Sequence, residues 1–423
     1  MYMRVALDSP SKKRALLLGT FLLTAAYFVV ATLQFVSDWF ADRPKVSSLR
    51  AATRLDPGNA DYHHRLGRLY DLVERNPSAA IEQYQAAVRL NPHDARYWLD
   101  LADAYQLSGD ANGQARAIEK AVQADPTTPN VAWEAANLYL VEGQTDKALR
   151  EFRVVMLGDP SLFPSSLRLC WRLVPDVDVL LRDVIPARTD AYVDFLEYLM
   201  SKEQTEGTTS VWNALVQLRQ PLEHRYLFSY IRYLLAHKAV DEAGVVWRQA
   251  ASLLGLSAYL PSSNNLIVNG SFNLDVLNGG FDWQYGKLPS VTLTLDAAET
   301  HEGHRSLSIA FDGPGVNDAG IAQPIVVQPN TTYRITGYYK NAEMDGAGGP
   351  HMALQDLYTS TSYFLSEELR DALAWKSVVG EFTTGPDTRV LVFRVQRLPA
   401  GSPIRGRLWI DDLRLVEVTE AAP

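Results

Sequence analysis

The sequence predicts a multidomain protein with an N-terminal transmembrane helix, an all-α solenoid of repeated helical pairs, and a C-terminal all-β jelly-roll sandwich. Three observations support this fold class. Residues 15–36 contain no charged side chain, residues 57–160 repeat one helical pattern, and the chain from residue 265 alternates apolar and polar residues. A chain of 423 residues is long enough for two or three domains with separate cores.

Composition excludes several classes of protein. Hydrophobic residues make up 47% of the chain and charged residues 21%, which is typical of globular rather than disordered proteins. The formal net charge of −9 leaves no basic excess to neutralise phosphates, so we expect no nucleic-acid binding. The single cysteine, Cys170, excludes an intramolecular disulfide and any metal site built from several thiolates.

The uncharged run 15–36 predicts a helix that spans a membrane. As an α-helix it is long enough to cross a hydrocarbon layer of about 30 Å, and it is longer than the apolar stretch of a cleaved signal peptide. The alternative, a core helix of a soluble domain, is unusual directly behind a cluster of basic residues. We therefore expect a signal-anchor helix over residues 15–37.

The charges on either side of this run predict its orientation. Four basic residues precede it: Arg4, Lys12, Lys13 and Arg14. After it, two acidic residues offset two basic ones: Asp38, Asp42, Arg43 and Lys45. The positive-inside rule then places residues 1–14 in the cytoplasm. We expect a single-pass membrane protein with the bulk of the chain in the periplasm or outside the cell.

One sequence frame recurs in three segments: "RLDPGNADYHHRLGRLY", "RLNPHDARYWLDLADAY" and "QADPTTPNVAWEAANLY". Prolines recur in this frame at intervals of 35, 34 and 34 residues: Pro57, Pro92, Pro126 and Pro160. Small, aromatic and small residues stand at fixed distances before the prolines, as in Ala80, Tyr84 and Ala87. This pattern resembles the tetratricopeptide repeat, in which small residues let two antiparallel helices approach closely.

The resemblance implies a solenoid of stacked helical pairs, because one pair cannot bury its apolar face alone. We expect tetratricopeptide repeats over residues 38–160 and degenerate helical repeats over 161–261. In this family, the first helix of each pair lines a concave surface that binds proteins. The predicted partner surface comprises five residues, for each of which a solvated or core-packed face is the alternative: Tyr62, His63, Arg65, Arg96 and Trp98.

The last part of the chain, residues 262–418, has the pattern of short β-strands. Alternating runs are separated by Gly, Pro, Asn and Asp: "VTLTLDA", "SLSIAF", "TTYRITGYYK", "RVLVFRV" and "RLWIDDLRL". Such strands indicate an antiparallel sandwich, and we expect a short tail after it at 419–423.

The order of motifs in this region resembles carbohydrate-binding module families 4 and 9. The motifs are "NLIVNGSFN", "GFDWQY", "HEGHRSLSI", "IVVQPNTTYRITGYYKNA", "WKSVVGEFTTGPDTRVLVFRV" and "GRLWIDDLRL". The resemblance covers nearly all of residues 265–418. It implies a jelly roll that binds polysaccharide in a groove or on a flat face, often with a structural calcium ion.

Sugar binding requires aromatic rings that stack on pyranose rings and polar groups that bond to hydroxyls. The predicted carbohydrate-binding residues are Trp283, Tyr285, Gln355, Asp356, Tyr358 and Tyr363. A core position is an equally supported alternative for Trp283. Small polar neighbours favour exposure of Tyr358 and Tyr363.

The resemblance also implies a calcium site at the end of the sandwich. Asp411 and Asp412 match the acidic pair that closes the family pattern, and carboxylates suit a hard cation. The neutral Asn273 stands where the pattern usually has an acidic residue, which weakens this expectation. We expect no other cofactor.

Catalysis is not expected, because the sequence lacks a nucleophile elbow, a Walker loop and a His-Glu-x-x-His motif. Three hypotheses follow. The protein is a membrane-anchored scaffold that binds proteins and polysaccharide, in export or assembly of a polysaccharide or of the cell envelope. Alternatively, it is a protein-interaction factor whose sandwich has lost sugar binding. The third hypothesis is a carbohydrate-active enzyme, or an accessory subunit of one, that uses the sandwich for targeting.

Overall fold

The computed structural model describes residues 9–418 and separates into two compact units, Met1–Ala187 and Arg188–Pro423. The division falls inside the predicted segment of degenerate repeats, and the last four helices share a unit with the sandwich. The predicted tail 419–423 lies outside the described residues, as do the first eight positions of the predicted cytoplasmic segment.

The first unit is all-α. Its helices are α1 (Pro10–Ala41), α2 (Val46–Leu55), α3 (Ala60–Leu72), α4 (Pro77–Leu90), α5 (Ala95–Ser108), α6 (Ala111–Ala124), α7 (Pro129–Val141), α8 (Thr145–Gly158), α9 (Phe163–Leu173) and α10 (Val177–Asp183). A 3-10 turn at Pro160–Leu162 precedes α9. Side-chain oxygens cap the starts of α3 to α6 by accepting hydrogen bonds from first-turn N–H groups: Asn59, Asn76, Asp94 and Asp110.

The helical pairs pack through the small and large residues that the repeat frame predicts. Ala80, Tyr84 and Ala87 of α4 are at most 1% exposed, and a Cβ on Gly67 of α3 would overlap the Tyr84 ring. Ala148 and Phe152 of α8 are likewise fully buried. Close approach of the two helices therefore depends on small side chains facing aromatic ones, and the predicted all-α repeat array is confirmed.

Helix α1 has two different parts. An 18-residue window of it has a mean hydropathy of 2.1 with none of its residues buried, which is long and apolar enough to cross a membrane. The last turn is different, because Ser37 and Ala41 are buried and the Tyr62 hydroxyl donates a hydrogen bond to the Asp38 carboxylate. The end of α1 therefore packs into the first helical pair together with α2.

The second unit begins with four helices and continues as a sandwich. The helices are α11 (Thr189–Ser201), α12 (Thr205–Gln217), α13 (His224–Ala236) and α14 (Val240–Leu254), followed by a 3-10 turn at Ser257–Tyr259. The strands are β1 (Gln284–Tyr285), β2 (Val291–Asp296), β3 (Ser306–Gly313), β4 (Asp318–Val326), β5 (Thr332–Gly346), β6 (Gly349–Asp356), β7 (Ser362–Leu365), β8 (Lys376–Thr383), β9 (Val390–Leu398) and β10 (Ile404–Glu417).

The strands form two antiparallel five-stranded sheets. The first sheet has the order β1-β4-β9-β6-β7 and the second the order β2-β3-β10-β5-β8. Alternate residues of both sheets point inward and form one core, with Ile309, Leu354, Phe393 and Leu408 at most 1% exposed. The crossed strand order and the two-layer core confirm the predicted jelly-roll sandwich.

Candidate functional site

Trp283 is a core residue, so the prediction that it contacts sugar is wrong. Its side chain is fully buried, stacks on Phe272 at a ring distance of 5.0 Å, and meets the edge of Phe393 at 5.4 Å. The indole Nε1 donates to the carbonyl oxygen of Asn269 at 3.1 Å. With its N–H satisfied and both ring faces packed, the indole has no surface on which a pyranose could stack.

Tyr358 contacts helix α13 and also lines a cleft between that helix and the first sheet. Its hydroxyl donates to the carbonyl oxygen of Leu235 in α13 at 2.9 Å, and the Lys238 ammonium lies 5.5 Å from its ring centre. Burial raises the pKa of the Tyr358 phenol. Its ring is half-buried and lies between the turn after β6 and the end of α13.

Tyr363 and Asp356 have local structural partners. The Tyr363 hydroxyl lies 2.7 Å from Thr388 Oγ1 and accepts from the Gly385 N–H, while its ring packs against the core. The buried Asp356 carboxylate accepts from the N–H groups of Tyr358 and Thr359, both at 2.7 Å. Burial alone would raise the pKa of Asp356, but hydrogen bonds including those from Thr359 outweigh it and lower the pKa. Asp356 therefore holds the turn and presents no free acid to a ligand.

Tyr285 and Gln355 are more accessible. Tyr285 lies on the edge strand β1 with 46% of its surface exposed. Gln355 is half-buried on β6, opposite Val392 of β9. These two residues stay predicted sugar contacts, and the six predicted residues as a set do not line one open groove.

The outer face of the first sheet is partly covered by the hairpin of α13 and α14. The buried Trp247 of α14 meets Phe281 at a ring distance of 6.0 Å, and its Nε1 donates to the Tyr259 carbonyl. Phe228 of α13 lies so close to Gly279 that a Cβ there would overlap its ring, and Trp247 does the same at Gly280. Positions 279 and 280 must therefore be glycine for the hairpin to pack.

Polar contacts fix the same hairpin at two further points. Asp241 at the start of α14 forms an ion pair with Arg389, which directly precedes β9. At the same end of the hairpin, the bond from Tyr358 to Leu235 joins the turn after β6 to α13. Pro324 and Val326 of β4 line a crevice beneath α14 together with Trp247. The hairpin therefore covers the half of the sheet where β4 ends and β9 begins.

A cleft of about 370 Å³ remains between α13 and this sheet. Its apolar walls come from Phe228 and Leu235 on the helix and from Pro324 and Val392 on the strands. Polar side chains also line it: Gln284 of β1, Arg232 of α13 and Arg394 of β9. The cleft lies within the size range of small-molecule sites and mixes apolar surface with convergent polar groups.

The sequence analysis did not predict that the hairpin of α13 and α14 covers the first sheet, although one feature of the sequence indicated a covered face. The run "VLVFRV" at 390–395 is apolar on both faces of the strand, with Val390 and Val392 outward and Leu391 and Phe393 inward. An antiparallel strand with one solvated face alternates apolar and polar residues instead. The run therefore indicated that something packs against its outer face.

The carboxylates of the predicted calcium site have protein partners. Both oxygens of the buried Asp411 accept backbone N–H groups, from His301 and Glu302 on one side and from Asp412 on the other. Burial raises the pKa of Asp411. The Asp412 carboxylate accepts from Arg414 Nε at 2.6 Å. Among residues 9–418 no group of three His, Cys, Asp or Glu side chains is arranged to hold a metal ion.

The neutral side chain of Asn273 holds the segment 299–305 in place. Its Oδ1 accepts from the N–H groups of His304 and Arg305, and the Arg305 guanidinium donates to its carbonyl oxygen at 2.6 Å. Backbone donors and a guanidinium thus contact the atoms that a cation would need as ligands. The donor set in this region does not fit a calcium ion.

The predicted partner surface of the repeats divides into buried and exposed residues. Tyr62 is 4% exposed and contacts the end of α1, so its place on a free partner surface is a wrong prediction. His63 is half-buried and bonds to Gln83 in its own helical pair, and Trp98 donates to the Pro92 carbonyl. Both bond within their own repeats, and both stay predicted partner contacts.

Arg65 and Arg96 are exposed, each beside an acidic neighbour. Arg65 pairs with Asp61 one turn away, and Arg96 pairs with Asp94, the residue that caps its own helix. These two residues stay predicted partner contacts. Of the five predicted positions, these two are the exposed ones, while His63 and Trp98 are half-buried.

Four acidic residues gather on the first helices of three successive pairs, and sequence reasoning did not single them out: Asp71, Asp100, Asp103 and Glu134. Desolvation by the neighbouring helices, followed by the charges of Asp100 and Glu134, raises the pKa of Asp103 to about 6, although the residue as a whole is exposed. Asp100 also accepts from the His64 ring at 2.6 Å. Asp100 and Glu134 occupy the same repeat position, and this recurrence of an acidic residue is the feature from which the cluster could have been predicted.

These observations define a class of protein: a helical-repeat protein with an exposed apolar N-terminal helix and a C-terminal jelly-roll sandwich. Comparison with known families finds one match in each part. Residues 264–401 match the family described as "Carbohydrate binding domain", and residues 95–128 match "Tetratricopeptide repeat". The two regions are therefore similar to domain types that are non-catalytic.

Individual relatives are distant. Superkiller protein 3 of Saccharomyces cerevisiae is 28% identical over 108 residues, which is 25% of this chain and 7% of that protein. A structure described as "CBM4 structure and function" is 16% identical, covers 36% of this chain and 99% of its own, and has a TM-score of 0.28. "Crystal structure of MamA" is 23% identical, covers 38% of this chain and 98% of its own, and has a TM-score of 0.27.

Proposed function

We propose that this protein is a membrane-anchored, non-enzymatic scaffold whose helical repeats bind a protein partner outside the cytoplasm. The observation that supports it best is the two-part character of α1. Its apolar length is fully exposed, whereas its last turn packs into the repeats. Exposed apolar surface of this length needs a hydrophobic environment. The setting we propose is the assembly or export of an extracellular polysaccharide, or the organisation of the cell envelope.

The anchoring part of this proposal is tested by extraction of membranes with alkaline carbonate. The full chain is expected in the membrane pellet, and the double variant Leu22→Arg, Val30→Arg in the soluble fraction. Each arginine near the centre of a spanning helix costs roughly 2.5–3.5 kcal/mol of insertion. Protease added from outside the cytoplasmic membrane should digest the repeats of the full chain. Carbonate release of the unaltered chain would contradict the anchor.

The partner-binding part is tested by photo-crosslinking in living cells. A photoreactive residue replaces Arg96, which is exposed on α5, and in a matched control it replaces Arg182, which is exposed on α10. We expect a discrete protein adduct from position 96 and none from position 182. Equal adducts from both positions, or none from either, would contradict a partner surface on the first helices of the repeats.

A second function, contact with polysaccharide, is favoured by the cleft beside α13. The match of residues 264–401 to a carbohydrate binding domain supports the chemical class, and the cleft is the opening that the hairpin leaves beside this sheet. A glycan array probed with the full chain in detergent tests this function. Absence of binding to every glycan would leave the sandwich as a protein-packing element, which is the competing hypothesis.

A further inference from the structure

The cleft between α13 and the first sheet has an apolar lining suited to a sugar ring. Phe228 and Tyr358 contribute aromatic surface to it, and Pro324 and Val392 contribute aliphatic surface. Aromatic rings stack on the apolar faces of pyranoses, and a small number of polar groups then fixes the orientation. At about 370 Å³ the cleft takes a short stretch of a glycan rather than a long chain.

The charged groups of the cleft are basic. Arg232 on α13 is exposed, and within residues 9–418 it makes no ion pair and no side-chain hydrogen bond. By contrast, Arg225 on the same helix is paired with Glu223. Arg394 on β9 faces Asp318 at 3.6 Å, which is too long for a tight bidentate pair. Lys238 adds a third positive charge beside Tyr358.

We propose that this cleft binds an acidic saccharide, with the carboxylate of a uronic acid unit on Arg232 and Arg394 and its ring against Phe228 and Tyr358. This proposal rests on the polysaccharide contact proposed above and names its substrate class. A guanidinium binds a carboxylate with two parallel hydrogen bonds, and an unpaired arginine is free to make them. One wall of the site comes from a helix, so the helices and the sandwich would recognise the glycan together.

The test compares uronic acid oligomers with their methyl esters, which keep the ring and remove the charge. Calorimetric titration uses the full chain in detergent and short oligomers of glucuronate, galacturonate and mannuronate. At least one acid form should bind about tenfold or more tightly than its ester, as expected for a hydrogen bond to a charged group. Arg232→Gln should remove about that factor for the acid and leave ester binding within twofold.

Arg225→Gln is the matched control, because it makes the same change on the same helix outside the cleft lining. It should bind the acid form as the unaltered chain does. Circular dichroism confirms that both variants are folded.

Four outcomes would overturn the proposal in distinguishable ways. Equal binding of acid and ester would refute the acidic class while leaving polysaccharide contact intact. Acid-selective binding that survives Arg232→Gln would place the site elsewhere on the chain. Tighter binding of oligoglutamate than of any uronate would indicate an acidic peptide as the ligand. Absence of binding to acid and ester alike, together with a silent glycan array, would remove the polysaccharide function as well.

Discussion

The two sheets of the sandwich share one core but have different outer faces. The second sheet carries polar pairs that reach solvent, such as Arg334 with Glu381 and Thr332 with Thr383. The first sheet carries Pro324 and Val392 on its outer face, under a hairpin from the helical part of the same unit. The difference shows that a jelly-roll sandwich can use half of one face to pack on a helix.

The largest expected effect comes from removing the ring that fills this contact. Trp247→Ala should lower the free energy of unfolding of the second unit by about 3–5 kcal/mol, because it leaves a cavity and an unbonded Tyr259 carbonyl. Trp375, which is half-buried just before β8 of the second sheet, is the control, and Trp375→Ala should cost about 1 kcal/mol or less. Urea unfolding followed by fluorescence measures both. Similar losses would mean that the hairpin contact is not a distinctive source of stability.

A glycine substitution tests the same contact from the side of the sandwich. Gly280 has a φ of +63°, and a Cβ there would overlap the Trp247 ring. Gly280→Ala should cost roughly 2–4 kcal/mol through backbone strain and displacement of that ring. Gly286→Ala meets open space and should change stability by about 0.5 kcal/mol or less. Thermal unfolding of the two variants would contradict the packing if their midpoints agree.

The free energy of unfolding should depend on pH through Asp282, a buried acid in the same loop as Gly280. Burial raises the pKa of Asp282 from 3.8 to about 6, since its Oδ1 has no partner and a single close hydrogen bond comes from the Leu277 N–H. The fold therefore favours the protonated acid. Stability from this group is complete below about pH 4 and is lost as the pH rises to about 6.

That loss amounts to roughly 2–3 kcal/mol. Asp282→Asn should flatten the fall in unfolding free energy between pH 4 and pH 7, measured in urea at fixed ionic strength. Asp275→Asn, in the same loop but exposed, controls for the loss of one carboxylate. An unchanged pH profile in Asp282→Asn would show that the buried acid is not the group that titrates.

The smallest effect is expected for the ion pair of Asp241 and Arg389. The Asp241 side chain is 72% exposed, so Asp241→Asn should cost less than about 1 kcal/mol and the cost should shrink in salt. Glu381→Gln, which breaks the exposed pair with Arg334 on the second sheet, should cost about the same. A much larger cost for Asp241→Asn would mean that charge rather than apolar packing holds the hairpin.

The helical repeats and the alternation of strands could be read from sequence because both depend on neighbours close along the chain. Ala80, Tyr84 and Ala87 specify a close helical pair through spacing alone. The cover on the first sheet depends on pairing residues far apart in sequence, such as Tyr358 with Leu235. Period-two alternation gives the face of a strand residue but not what lies opposite it.

The individual site residues were harder to predict for the same reason. An aromatic residue in a loop motif fits a ligand surface and a core equally well, and Trp283 became core because Phe272 and Phe393 enclose it. Tyr62 occupies a first-helix position, yet the end of α1 packs over it. In both cases, a neighbour that the local pattern does not specify decides whether the side chain reaches solvent.

The packing of α1 into the first helical pair limits how the repeats can move. Residues 42–45 alone separate α1 from α2, and Ser37 and Ala41 are already buried before that connection begins. A flexible tether would let an anchored domain sweep a volume that grows with tether length. A bilayer around α1 would instead hold the repeats at a fixed distance from the membrane and in a fixed orientation. A partner in the same membrane would then search two dimensions rather than three.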